Sequence, residues 1–178
     1  MLEMLIAAAI VMVVFMLTFD VVQSGVKLSS RSAAQGMVQD NARQIVETIV
    51  REVKGAGEDC TGWEIGTNPD PADQFYDQEV SRISFSRCIG YDSDLELMEW
   101  GPVVTYEFEP PMGDEPGKIV RIENGNRVPV CNNVTTFTVT YDSGISVLAV
   151  SATLQVEDPE SPGNMIGASY TGNAKIMN

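Results

Sequence analysis

The sequence predicts an α+β protein in which one long N-terminal α-helix packs on an antiparallel β-sheet head. Three observations carry that expectation. Residues 4–19 are apolar almost without interruption; residues 28–56 are polar overall but keep apolar side chains at helical spacing; and from about residue 80 onward the chain alternates with the period of a strand between turn residues. With 178 residues, 44 % of them hydrophobic, there is material for one cored domain plus an appendage.

The helix comes first. Met4 to Phe19 form a sixteen-residue run in which Thr18 is the one polar member, and Asp20 closes it. At about 1.5 Å per residue the run is roughly 24 Å long, short of a bilayer core of about 30 Å. Adding Met1 and Leu2 makes a marginal span, but only by enclosing Glu3. A secretory signal peptide needs a basic segment before its apolar run, and a signal anchor needs positive charge on its cytoplasmic flank. This chain has no Lys or Arg before Lys27. A carboxylate at the head of an apolar helix instead requires a positive partner, which favours a helix held first in a membrane and later in a protein assembly. On the first turn Glu3 also favours the helix dipole.

No proline follows Asp20 within the helix, and Ser24-Gly25 is the expected place for a bend or break. Further on, Ala34, Met37, Val38, Asn41, Ala42, Ile45, Ile49, Val53 and Ala56 fall near one helix face. The opposite face carries Arg31, Gln35, Gln39, Asp40, Arg43, Gln44, Glu47, Arg51 and Lys54, with Glu47 and Arg51 spaced as an i,i+4 ion pair. Gly55-Ala56-Gly57 stops the helix after Lys54. The predicted element is about 55 residues and about 80 Å long. It divides into an apolar part over residues 1–27 and an amphipathic part that belongs to a head of residues 28–178.

The segment Met1-Leu2-Glu3-Met4-Leu5-Ile6-Ala7-Ala8-Ala9-Ile10-Val11-Met12-Val13-Val14 closely resembles the N-terminus of type IV pilin-like proteins. In that family a cleavage glycine precedes Phe-Thr-Leu-Ile-Glu or Phe-Ser-Leu-Leu-Glu and then an apolar helix. The family's glutamate is fifth in the mature chain and here it is third, so the sequence either starts two residues inside the pattern or departs from it. Ala42-Arg43 and Arg51-Glu52-Val53-Lys54-Gly55-Ala56-Gly57 look like the helix end of the J and W classes of minor pilins and pseudopilins. The resemblance implies a type IV pilin-like fold, with Glu3 pairing with the N-terminal amine of an adjacent subunit. It further implies assembly contacts through Leu5, Ile6, Ile10, Val14 and Phe15, and an N-terminus processed by a prepilin peptidase and methylated. The implied partners are copies of the chain or other pilins in a helical filament, together with an inner-membrane assembly machinery. The implied location is the inner membrane before assembly and an extracellular or periplasmic filament afterwards.

Glu58 to Glu79 reads as a loop rich in Gly, Pro, Asp and Asn. Strands are expected over Val80–Cys88, Val103–Phe108, Lys118–Glu123, Arg127–Val130, Val134–Tyr141 and Ile145–Glu157, with turns at Asn124-Gly125-Asn126 and Asp142-Ser143-Gly144. Ile83 and Phe85 share a face, as do Val104, Tyr106 and Phe108. In the last strand Leu148, Val150, Ala152, Leu154 and Val156 do so. These six strands need one covered face, and the amphipathic half of the helix supplies the cover. The Lys118–Val156 region, with its Phe137-x-Val139-x-Tyr141-Asp142 strand, again resembles the J and W group.

Charge and chemistry narrow the function. With 25 acidic against 11 basic residues the net charge is −14, which disfavours nucleic acid and anionic membrane surfaces as partners. Histidine is absent, which removes imidazole-based triads and His-containing zinc sites. No catalytic residue, cofactor or metal centre is expected. Cys60, Cys88 and Cys131 allow at most one intramolecular disulfide; Cys60–Cys88 would pin the loop to the first strand, with pairs involving Cys131 and a fully reduced chain as the alternatives. Asp92, Asp94 and Glu96 sit at alternate positions like part of a calcium loop but lack its glycine and bidentate glutamate, so a solvated acidic loop is the better reading. Asn133-Val134-Thr135 matches a glycosylation triplet. Phe15 and Phe19, at i,i+4, are read as packing residues. The expected function is a structural subunit of a type IV pilus-like filament. The alternatives are a minor pilin or pseudopilin of a secretion or pilus-tip complex, and a membrane-anchored extracytoplasmic binding domain.

Overall fold

The computed structural model describes residues 2–55, 64–65, 81–92, 97–113, 115–142 and 147–175. Helix α1 runs Leu2–Lys54 without interruption, so the chain is helical straight through Ser24 and Gly25. At 53 residues it is about 80 Å long. Glu3 occupies its first turn, and Arg51 and Lys54 its last, where each complements the dipole. Gly55 ends it, donating its N–H to the Glu52 carbonyl at 3.1 Å.

The head holds two antiparallel sheets rather than one. The first contains β1 (Glu64–Ile65), β2 (Arg82–Asp92), β3 (Leu97–Glu109), β4 (Lys118–Glu123) and β5 (Asn126–Asn132), in that spatial order. The second contains β6 (Val134–Asp142), β7 (Val147–Glu157) and β8 (Met165–Lys175). Sequential hairpins build both, and Asn124-Gly125 turns β4 into β5 with φ of 53° and 77°, the left-handed pair that a two-residue hairpin needs. Asn133 (φ 61°) marks the crossing from the first sheet to the second.

Two strands are additions to the six expected: the two-residue β1, inside the segment Glu58–Glu79 read as a loop, and β8. The β8 sequence, Met-Ile-Gly-Ala-Ser-Tyr-Thr-Gly-Asn-Ala-Lys, carries small residues where a strand signal wants branched ones. The alternation is nevertheless there: Ile166, Ala168, Tyr170, Gly172 and Ala174 pair with Val156, Leu154, Ala152, Val150 and Leu148. β8 is small-sided because the helix lies on it. A Cβ at Gly172 would stand 2.7 Å from Val46 Cγ1 and 3.1 Å from Val50 Cγ2.

The core is the layer between helix and sheets. From the helix come Val38, Ala42, Ile45, Val46, Ile49, Val50 and Val53; from the first sheet Ile83, Phe85, Val104, Tyr106 and Ile119; from the second Phe137, Val139, Leu148, Val150, Ala152 and Leu154. Phe85 and Tyr106 stack at 6.2 Å between ring centres. The expected helix face is rotated slightly: Met37 and Asn41 are exposed, while Val46 and Val50 are buried. The stripe follows 38-42-45/46-49/50-53 because the helix rests on two sheets and needs a wider apolar arc than one face supplies. The expected Glu47–Arg51 pair is also replaced. Glu47 turns back one turn to Arg43, whose Nε donates to Oε1 at 2.7 Å and lowers the Glu47 carboxyl below its ordinary range.

Candidate assembly helix

Among the described residues, two polar clusters tie the helix to the head at either end of the packed segment, and Tyr170 adds a hydrogen bond to Glu47 at 3.4 Å between them. At its C-terminal end Glu52 Oε2 accepts from the Tyr106 hydroxyl at 3.0 Å and from Arg121 Nε at 3.5 Å, while Arg121 Nη1 reaches Glu123 at 2.6 Å. Burial, and then the adjacent Glu52 carboxylate, push the Tyr106 phenol up from its ordinary value, so it stays a donor at any physiological pH. At the other end the β7–β8 turn clasps the helix. Asp158, only 2 % exposed, meets Arg31 Nε at 3.4 Å, and Ser30 donates its hydroxyl to Glu160 at 2.8 Å. Asp158 also accepts the Glu160 N–H at 3.0 Å, so one buried carboxylate both shapes the turn and ties it to the helix. Sequence spacing gave no sign of this clasp, since Arg31 and Asp158 are far apart in the chain.

Ser30 is the first helix residue with appreciable burial. N-terminal to it the described side chains are exposed on every side. Sixteen large apolar residues between Leu2 and Leu28 each present more than half of their surface, among them Ile6, Ile10, Val14 and Phe15. Glu3 is exposed on the same segment, and Leu5 lies on the helix with its side chain outside the described residues. Thr18 is satisfied within the helix by donating to the Val14 carbonyl at 2.8 Å, so it needs no water. At about 1.5–3 kcal/mol for each side chain fully buried, covering these residues is worth on the order of 20 kcal/mol or more. By length and composition this helix is able to cross a membrane.

Of the other candidate residues, Cys131 on β5 carries a free, half-buried thiol whose pKa burial raises, which corrects any disulfide through it. Cys88 lies on β2, three strands across the first sheet and seven residues along it from Ser81, the residue level with Cys131, so the two are beyond the reach of a disulfide. Cys60 is outside the described residues, so the Cys60–Cys88 pair is too. Asp92 ends β2 paired with Leu97, a strand position rather than a loop one, and Asp94 and Glu96 lie outside the described residues. Among the described residues no three His, Cys, Asp or Glu side chains gather as a metal site. Thr135 of the glycosylation triplet is engaged, its hydroxyl donating to the Thr153 carbonyl at 3.1 Å, while Asn133 is exposed. On the outer face of the first sheet Arg127 bridges Glu107 and Glu109, and Lys118 adds a second contact to Glu109 at 3.1 Å. No known protein family, curated protein or solved structure matches this chain.

Proposed function

We propose that this chain is a structural subunit of a type IV pilus-like filament, assembling through its N-terminal helix. The observation that carries the reading is the all-round exposure of an apolar helix that continues rigidly into a folded head. A tether to a membrane needs no 53-residue helix clamped at two places, whereas a subunit that transmits load from helix to head does. In this reading the helix waits in the membrane and is then extracted into a bundle of like helices. Glu3 finds its positive partner there, and the heads form the outer surface. Ser24-Gly25, with open space around Gly25, is where the helix would yield on assembly.

The test is a mass-spectrometric count of the chain in filaments sheared from the surface of cells that make it. Dominance in that fraction supports the subunit role, trace amounts beside another pilin indicate a minor subunit, and absence leaves an anchored head domain. In the same cells Glu3→Ala should insert into the membrane normally yet enter filaments poorly. Normal incorporation of that variant would count against the charge-pairing role.

A further inference from the structure

We propose that the turn between β3 and β4 is a docking finger that seats on a second copy of this chain, with Met112 against that copy's Val128 and Glu115 against its Lys54, beside Arg51. The proposal rests on the filament reading above and adds a contact between heads to it.

The finger is rigid by construction. β3 ends at Glu109 and β4 begins at Lys118, and Pro110-Pro111-Met112-Gly113-Asp114-Glu115-Pro116-Gly117 runs between them. Met112 and Glu115 exchange backbone hydrogen bonds at 3.2 and 3.1 Å, with Gly113 in the left-handed region at φ 61°. Three prolines fix the backbone on either side. At the base the Val134 N–H donates to the Gly117 carbonyl at 2.9 Å, and a Cβ on Gly117 would collide with the Val134 carbonyl and crowd Phe108 and Pro111. A turn held in this way loses little freedom on binding. Its tip is left in water. Met112 is 81 % exposed, the most exposed large apolar side chain among the described residues of the head. Glu115 is exposed as well and has no ion-pair partner among the described residues.

The end of the helix carries the opposite charge. Arg31, Arg43, Lys118, Arg121 and Arg127 each hold an acidic partner within the chain. Arg51 and Lys54 are exposed and hold none among the described residues, although acidic residues outnumber basic ones 25 to 11. Glu52, between them, accepts from Arg121, whose neighbour across the ladder is Val128. Val128 stands 47 % exposed on the edge strand β5, so one apolar side chain and two unpaired cations flank the Glu52–Arg121 pair. An apolar tip beside a carboxylate is the complement of that surface. Met112 covers Val128 and the aliphatic stems of Arg51 and Lys54, while Glu115 meets their charges. Met112 stands clear of its own head, so the patch it covers belongs to another copy. Each copy then offers its finger to one neighbour and its helix end to another, a heterologous contact that repeats without closing. Two cations do not offset a net charge of −14, so the contact selects which surfaces of neighbouring heads meet while the helices hold the assembly.

The experiment uses the full chain in cells that assemble it. Glu115→Lys and Lys54→Glu should each lower filament yield about threefold or more, and the double reversal should recover most of the loss. Met112→Ser should lower yield by a similar factor, with Met112→Leu near wild type. In wild-type filaments a carbodiimide should join the Glu115 carboxyl to the Lys54 amine as an amide, and mass spectrometry should find the linked peptides in the band of two joined chains and not in the single-chain band. Membrane-fraction levels of each variant separate loss of assembly from loss of folding. Unchanged yields from both single reversals, no rescue by the double reversal, or a Glu115–Lys54 link confined to single chains would each overturn the finger contact while wild-type filaments stand. Absence of wild-type chain from every filament would overturn the filament reading and the finger contact with it.

Discussion

Gly172→Ala tests how closely the head grips the helix. The added methyl would lie 2.7 Å from Val46 Cγ1 and 3.1 Å from Val50 Cγ2, against a preferred carbon–carbon separation of about 3.5–4.0 Å. Val46 is fully buried, so its methyl has no open side to move into. Either the helix retreats by the better part of an ångström or Val46 leaves its rotamer, and overpacking of that kind costs about 1–3 kcal/mol. Replacing glycine within a strand returns roughly 0.5–1 kcal/mol. The net loss is about 1–2 kcal/mol, or a fall in Tm of about 2–8 °C for a chain of this size. Thermal unfolding of the detergent-solubilised chain, followed by near-ultraviolet dichroism, reads it directly. Val46→Ala removes the obstructing methyls. In that background Gly172→Ala should cost nothing or stabilise, giving a coupling of about 1 kcal/mol or more. A double variant whose loss is the sum of the two single losses would refute the close-approach argument.

Two further outcomes follow from the clasps and the surface network. Asp158→Ala removes the ion-pair partner of Arg31 and the acceptor of the Glu160 amide and should cost about 1–3 kcal/mol, with faster amide exchange in the helix around Ser30 and little change near Glu52; equal exchange at both ends would refute a local clasp. The hydrogen bond from Arg127, reinforced by Lys118, holds Glu109 below the ordinary carboxylate range, so its contribution to stability is present above that range and lost as pH falls through its lowered pKa. The stability difference between wild type and Glu109→Gln should therefore be small at pH 7, given the partial exposure of the network, and narrow further below about pH 4.

The helix was legible in the sequence because its two halves announce themselves in different ways, one by unbroken apolarity and the other by period. The sheet faces of β3, β6 and β7 were legible for the same reason, since branched and aromatic residues alternate there. β8 was hidden because packing under the helix selects small residues, and small residues look like a loop. Val46 and Val50 were missed because the width of the apolar arc depends on having two sheets beneath it, a tertiary fact that no single-helix periodicity contains. Arg31–Asp158 and Glu52–Tyr106–Arg121 join residues distant in sequence, so spacing held no signal for them.

The charge of the chain is divided as sharply as its apolarity. Residues 1–54 hold five acidic and five basic side chains, so the whole net charge of −14 falls on residues 55–178, which carry twenty acidic and six basic ones. In the proposed assembly a neutral helix draws copies together while strongly acidic heads push them apart. The two effects respond differently to salt. Head repulsion acts through water and is screened beyond about 8 Å at physiological ionic strength but only beyond about 30 Å at 0.01 M. Apolar contact between neutral helices carries no net charge to screen and changes little between the two. Lowering the salt therefore strengthens the repulsion more than the helix packing, and filaments dialysed to low ionic strength should shed subunits. Filaments that instead tighten on dilution of salt would show that contacts between heads, and not the apolar helix, hold the assembly together.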